Sequence, residues 1–193
     1  MQHLAPKITR FSVGSVRMEH RIRRIIDQQE KNGFYLNINK AHDLLEELKT
    51  KSEDLNKDLQ TIFPTIYTPR FHKTTNKPLK DHVDEFNPSS RKQIAERLQK
   101  KYDWVPSKTT PTGLPVIDEK VLKELEYPEA KMIAEYLLYE KRVSQIKSWL
   151  KNVRDDSKVH GRVITLGCVT SRMSHYGPNM AQVPASYSPY GKE

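Results

Sequence analysis

The side chains of this sequence that could do chemistry are cationic and amide-bearing rather than nucleophilic. Toward the C-terminal end stand Arg172, Asn179 and Gln182, with His175 between them. An arginine offers a planar fork to phosphate, and a side-chain amide can donate to the N3 and O2 acceptors that all base pairs share in the minor groove. A second set, Lys141, Arg142, Lys147, Ser148 and Lys151, falls late in a helical stretch and supplies four long cations and one hydroxyl on a stiff support, which is what phosphate contact needs. The alternative for any one of them is a solvated helix face. Other chemistries find little support. His72 and His82 stand in a loop with no His-x-x-x-His or Cys-His spacing for a metal. Asp155 and Asp156 imitate a carboxylate pair, but neighbours on a hairpin point apart. No glycine-rich phosphate loop and no Ser-His-Asp arrangement is evident.

Composition agrees with an anionic partner. The 193 residues carry 33 Lys and Arg against 24 Asp and Glu, a net charge of +9, and the surplus favours polyanions such as nucleic acid. With 36% hydrophobic and 30% charged residues and a mean hydropathy of -0.77, one domain or two small ones are expected rather than a large core. The single cysteine, Cys168, excludes an internal disulfide and a cysteine-rich zinc site. No apolar run approaches the roughly 18 residues of a membrane span, and the N-terminus lacks a signal-peptide pattern, so no membrane partner and a cytoplasmic location are expected.

The elements that must position these residues are mainly helical. Residues 1–15 read as an irregular lead-in. From Val16 to Lys31, Met18, Ile22, Ile25 and Ile26 recur at helical spacing, and Asn32-Gly33 supplies a left-handed stop. Phe34 to Ile38 alternates as a short strand. Asn39 is placed to cap a long helix striped by Ala41, Leu44, Leu45, Leu48, Leu55, Leu59 and Ile62, ended by Pro64. Residues 65–85 form a basic loop or small hairpin. Ser90-x-x-Gln93 is a capping box for a helix with Ile94 and Leu98, Asp118 caps a short helix, and Pro128 opens a last long one. In that helix Met132, Tyr136, Tyr139, Val143, Ile146 and Leu150 make a narrow seam for a second long helix. Beyond Asp155 come short strands, with Val159, Val163, Ile164 and Val169 as candidates. The class is α+β, mainly α.

Several segments together carry a resemblance. Val16 to Leu48, with Glu19-His20-Arg21 and Gln29-Glu30-Lys31-Asn32-Gly33-Phe34, resembles the opening of the polymerase domain in bacteriophage members of family A DNA polymerases, the DNA polymerase I-like group. Phe86-Asn87-Pro88-Ser89-Ser90 and Thr112-Gly113-Leu114-Pro115 through Val121-Leu122-Lys123-Glu124-Leu125 match later segments of that family in order. So do Asp156 to Gly161 and the stretch Thr170-Ser171-Arg172…Pro178-Asn179-Met180-Ala181-Gln182-Val183-Pro184, in which Ser171 replaces the family's usual Gly.

The resemblance implies a thumb at 39–150, including the 65–85 loop as an insertion, flanked by palm segments at 16–38 and 151–193. It implies that Lys141, Arg142, Lys147, Ser148 and Lys151 lie near the thumb tip on primer-template DNA. Arg172, His175, Asn179 and Gln182 would then approach the duplex near the primer terminus. The family's first metal-binding aspartate would fall beyond Glu193, so no catalytic residue is expected here, and Mg2+ would be bound outside this chain. The expectation is the N-terminal portion of a split DNA-directed DNA polymerase used in DNA replication. A second polymerase chain would carry the fingers and catalytic palm, in the cytoplasm of a bacterial host if phage-encoded. On this view Val159 to Val169 lacks neighbours and presents an edge that needs covering. The alternative is a non-catalytic DNA-binding accessory protein or a decayed polymerase fragment.

Overall fold

The computed structural model describes residues 11–72, 74–106, 108–111, 113 and 115–192. The expected irregular lead-in therefore lies outside the described residues over 1–10, as do Thr112 and Leu114 of the Thr112–Pro115 segment. Helix α1 spans Val13–Asn32 and starts earlier than its apolar period suggests, because the Ser12 hydroxyl accepts the Ser15 N–H. It stops where expected. Gly33, at φ 64°, returns its N–H to the Gln29 carbonyl. Strand β1 is only Phe34–Tyr35, shorter than the expected Phe34–Ile38, because α2 already begins at Ile38 and runs to Ile62. The capping oxygen comes from Asn37, which accepts the Lys40 N–H, and not from Asn39.

Residues 65–85 resolve into an antiparallel hairpin, β2 Ile66–Phe71 with β3 Pro78–Asp84, irregular between Thr68 and Arg70 where Pro69 has no N–H to give. Helix α3 is Arg91–Tyr102. Half of its expected box forms: Ser90 caps the Gln93 N–H, but the Gln93 side chain reaches the Asn87 N–H instead of closing back on Ser90. Asp118 caps the short α4, Glu119–Glu124, and α5 runs from Pro128 to Asn152. Strands β4 Lys158–Val159, β5 Arg162–Ile164 and β6 Ser174–Tyr176 follow, then a 3-10 turn at Met180–Gln182. Val169 is in no strand; it sits fully exposed in the turn between β5 and β6. The chain is thus α+β and mainly helical, with three two-stranded sheets among the described residues.

Two compact units form, one from the residues up to Leu44 and from Gln145 onward, the other from Leu45 to Ser144. The Leu45–Ser144 unit holds a core of Leu59, Phe63, Phe86, Ile94, Leu98, Trp104, Ile117, Leu122 and Ile133. In the first half of α5 the buried stripe is Ala130, Ile133 and Ala134, while Met132 and Tyr136 are only half-buried. The expected seam is displaced there because α3 and α4 cover that side. Arg97 is buried and donates to the Pro64 and Asp84 carbonyls, anchoring both ends of the hairpin. Lys101 and Tyr102 share the carboxylate of buried Glu129 at the start of α5.

In the other unit β1 pairs with β4 and β5 pairs with β6, both antiparallel. Val159 is buried between partners, paired with Phe34 and bridged to Val153. Gly33 leaves the room that His160 fills, since a Cβ there would stand 2.7 Å from the ring.

Candidate nucleic-acid interface

The residues singled out by the sequence lie mostly in the unit that contains β4–β6, and helix α1 sets the β5–β6 hairpin in place. Arg23 binds Asp27 and Glu30 on its own helix, at 2.6 and 2.9 Å. From there it donates to the Val163 carbonyl at 2.7 Å, while Glu30 accepts the Val163 N–H at 2.8 Å. Val163 is paired across from His175, and its N–H and carbonyl turn to α1, as these two bonds show. Two side chains thereby supply what a neighbouring strand would. The expected bare edge from Val159 to Val169 is corrected on this point: Val159 has strand partners and Val163 is closed by Arg23 and Glu30.

The electrostatics reinforce the clamp. The hydrogen bond from Arg23 and then that from the Val163 N–H hold the Glu30 carboxyl below the usual carboxylate range, and Glu30 first and Asp27 second raise Arg23. Beside them the His160 ring places Nδ1 at 2.8 Å from the Glu30 carbonyl and Nε2 at 3.0 Å from the Asp156 carboxylate. Burial opposes ionisation of Asp156, but the His160 ring and the Lys158 N–H together bring its carboxyl below the ordinary range. Asp156 is therefore spent on a turn, apart from Asp155, as its spacing suggested.

Past β5 the chain makes a tight turn: the Cys168 N–H bonds the Arg172 carbonyl and the Ser171 N–H bonds the Cys168 carbonyl. Ser171 takes φ 58°, the left-handed region that favours glycine. This turn exposes Arg172. His175 is half-buried in β6. Asn179 is half-buried and its Oδ1 accepts the Ala181 N–H, capping the 3-10 turn. The acceptor half of the amide is thus committed, and among the described residues the Nδ2 donors make no hydrogen bond. Gln182 has an exposed side chain, and its carbonyl accepts Nε2 of Gln145 at 2.9 Å. That bond pins the 3-10 turn to the last part of α5. Ser148, one turn beyond Gln145, is half-buried on the same side of the helix.

Lys147 and Lys151 are exposed one turn apart on α5, in the same unit as Arg172. Lys141 is also exposed but belongs to the Leu45–Ser144 unit. Arg142 differs: it is 8% exposed, turned into its unit, where its charge and that of Lys141 help lower Glu119 behind the larger effect of Lys123. An open phosphate fork at Arg142 is not what the fold presents. The sequence reading missed Arg23, Glu30 and Gln145. The only signal for the first two was their run with Asp27 at helical spacing along α1; Gln145 carried none.

No three His, Cys, Asp or Glu side chains converge as a metal site among the described residues. No helix among them is long and apolar enough to cross a membrane.

Comparison with known proteins matches residues 45–193 to the model of DNA polymerase family A. The DNA-directed DNA polymerase of Enterobacteria phage T3 is 32% identical over an alignment of 243 residues covering 94% of this chain and 34% of the relative. That of Escherichia phage T7 gives the same identity and coverage. DNA polymerase I of Helicobacter pylori is 32% identical over 110 residues, 55% of this chain and 12% of its own. The chain thus spans 34% of the length of the phage relatives. Among solved structures, the polymerase domain of Pol1 from M. smegmatis, in complex with a DNA primer-template and dNTP, superposes with a TM-score of 0.68. It is 16% identical and covers 86% of this chain and 26% of that one, a likeness of fold. Enzymes of this family use divalent metal ions. With the family model spanning residues 45–193 and phage polymerases aligned along 94% of its length, this chain belongs to DNA polymerase family A.

Proposed function

We propose that this chain grips primer-template DNA as part of a DNA-directed DNA polymerase acting in DNA replication. Residues 39–150 serve as the thumb, and 16–38 with 151–193 serve as palm. The observation that carries the reading is the Gln145 to Gln182 hydrogen bond, which ties the Asn179–Gln182 turn to the helix bearing Lys147 and Lys151. The proposed phosphate cations Lys147 and Lys151 and the proposed minor-groove donors then share one compact unit.

In this mechanism Lys147 and Lys151, with Lys141 farther up α5, meet backbone phosphates, while Arg172 forks onto a phosphate near the primer terminus. Asn179, with its Oδ1 engaged by the Ala181 N–H, has its Nδ2 donors to offer, and Gln182 acts beside it. Donors in the minor groove meet acceptors present in every base pair, so these contacts test the shape of a pair rather than its identity. His175 backs the same surface from β6. Arg142 stays inside its unit and supports α5.

Nucleotidyl transfer itself needs paired carboxylates and Mg2+. No step of it is assigned to residues of this chain; a second polymerase chain supplies fingers and catalytic palm. The setting is the cytoplasm of the cell that replicates the DNA. The test is primer extension with Mg2+ by this chain alone and with a polypeptide carrying those parts. Extension only in the combined sample is expected. Tight duplex binding with no extension in any combination would favour a DNA-binding accessory protein instead.

A further inference from the structure

An open cleft of about 710 Å³ lies between the second half of α1 and the β5–β6 hairpin. Its basic side chains divide into two groups. Arg23 is neutralised by Asp27 and Glu30, and the His160 ring is hydrogen-bonded to the Asp156 carboxylate. Lys31, Arg154 and Arg162 also line it, and among the described residues none of the three has a carboxylate within ion-pair distance. The turn bonds between Arg154, Ser157 and Lys158 fix the backbone that carries Arg154. Arg162 sits directly across from Tyr176 in the β5–β6 ladder, so the two side chains stand side by side on one face. Tyr176 is 47% exposed. The cleft therefore offers three uncompensated cations and one open aromatic face.

We propose that this cleft binds a single-stranded polynucleotide, with Lys31, Arg154 and Arg162 on successive phosphates and a base stacked on Tyr176. Cations delivered by three separate segments suit charges spaced along a chain. A duplex keeps its bases stacked inside and has no ring face to give Tyr176. The proposal goes beyond the duplex grip assigned to Arg172, Asn179 and Gln182 and uses none of those residues.

The test is fluorescence anisotropy of a labelled oligothymidylate of about ten nucleotides with the full chain, in a salt series. Replacing Lys31, Arg154 and Arg162 together by Ala is expected to flatten the slope of log K against log salt by about 2, or about 0.7 for each of three phosphates. Tyr176→Ala should lower affinity about tenfold, and Tyr176→Phe, which keeps the ring face, should leave it unchanged. Unchanged affinity and slope in the triple variant would overturn the proposal. So would dTTP displacing the oligonucleotide as well, molecule for molecule, as unlabelled oligonucleotide does, since the cleft would then be a mononucleotide site. Photocrosslinking with an iododeoxyuridine-substituted oligonucleotide gives a second reading on the unaltered chain. Adducts on Tyr176 support the proposal, and adducts confined to residues outside the cleft contradict it. Failure of duplex binding in Arg172→Ala leaves this result untouched, so the two readings fail separately.

Discussion

Glu30 on α1 accepts the backbone N–H of Val163 on β5 at 2.8 Å, closing with a side chain the strand edge that another strand would otherwise occupy. The carboxylate is held in place by Arg23, which also takes the Val163 carbonyl. Glu30→Ala should leave that N–H and one guanidinium face without partners, at about 1–3 kcal/mol. Denaturant unfolding of the full chain measures it; a change below about 0.5 kcal/mol would mean that water replaces the clamp at no cost.

The same carboxylate makes stability depend on pH in one direction. Its folded-state pKa is lowered, by Arg23 first and the Val163 N–H second. Its contribution is therefore complete above the ordinary glutamate value of about 4.3 and is lost as pH falls through the lower folded value. Unfolding free energy should drop between about pH 5 and about pH 3 more steeply in the native chain than in Glu30→Gln. Parallel curves would contradict the clamp.

Two backbone positions give opposite signs. Gly33→Ala must place a Cβ at φ 64° and 2.7 Å from the His160 ring, and a loss of about 2–3 kcal/mol is expected. Ser171 already bears a side chain at φ 58°, so Ser171→Gly should be neutral or stabilising by up to about 1 kcal/mol. Thermal melts of both variants check the pair. Stabilisation by Gly33→Ala, or a marked loss in Ser171→Gly, would show that these turns are set otherwise.

How far these features could be read in the sequence depended on their range. The stop of α1 at Gly33 and the cap at Asp118 are local, and each was legible from residue type and spacing. The Asn37 cap was missed because Asn39 offers the same chemistry two residues on, and backbone dihedrals decide between them. The 66–84 hairpin could not be told from a loop, because both its faces are largely exposed and the irregularity at Pro69 breaks the period of two. The Glu30 clamp joins residues 133 apart, and no local pattern announces it. Among the candidate site residues, Arg172, Asn179 and Gln182 could be singled out as parts of a local motif. The inward turn of Arg142 beside outward Lys141 was not legible, since which face of α5 is covered there depends on how the helices of the Leu45–Ser144 unit pack.

In a reconstituted polymerase, Arg172→Ala and Gln182→Ala should lower primer extension far more than they lower association of the parts. On the proposed reading these side chains position the primer terminus, and misplacement by about 1 Å can cost about 100-fold. Steady-state extension beside co-purification at micromolar concentration separates the two effects. Full activity in both variants would remove these residues from the site.

The most direct measurement is the binding of a primer-template duplex to the purified chain across a salt series, in parallel with Arg172→Ala and with Lys147→Ala/Lys151→Ala. The account predicts sequence-independent binding whose slope of log K against log salt falls by about 0.9 for Arg172 and about 1.8 for the lysine pair. A chain that binds no duplex at low salt, or variants whose affinity and slope match the native chain, would contradict it.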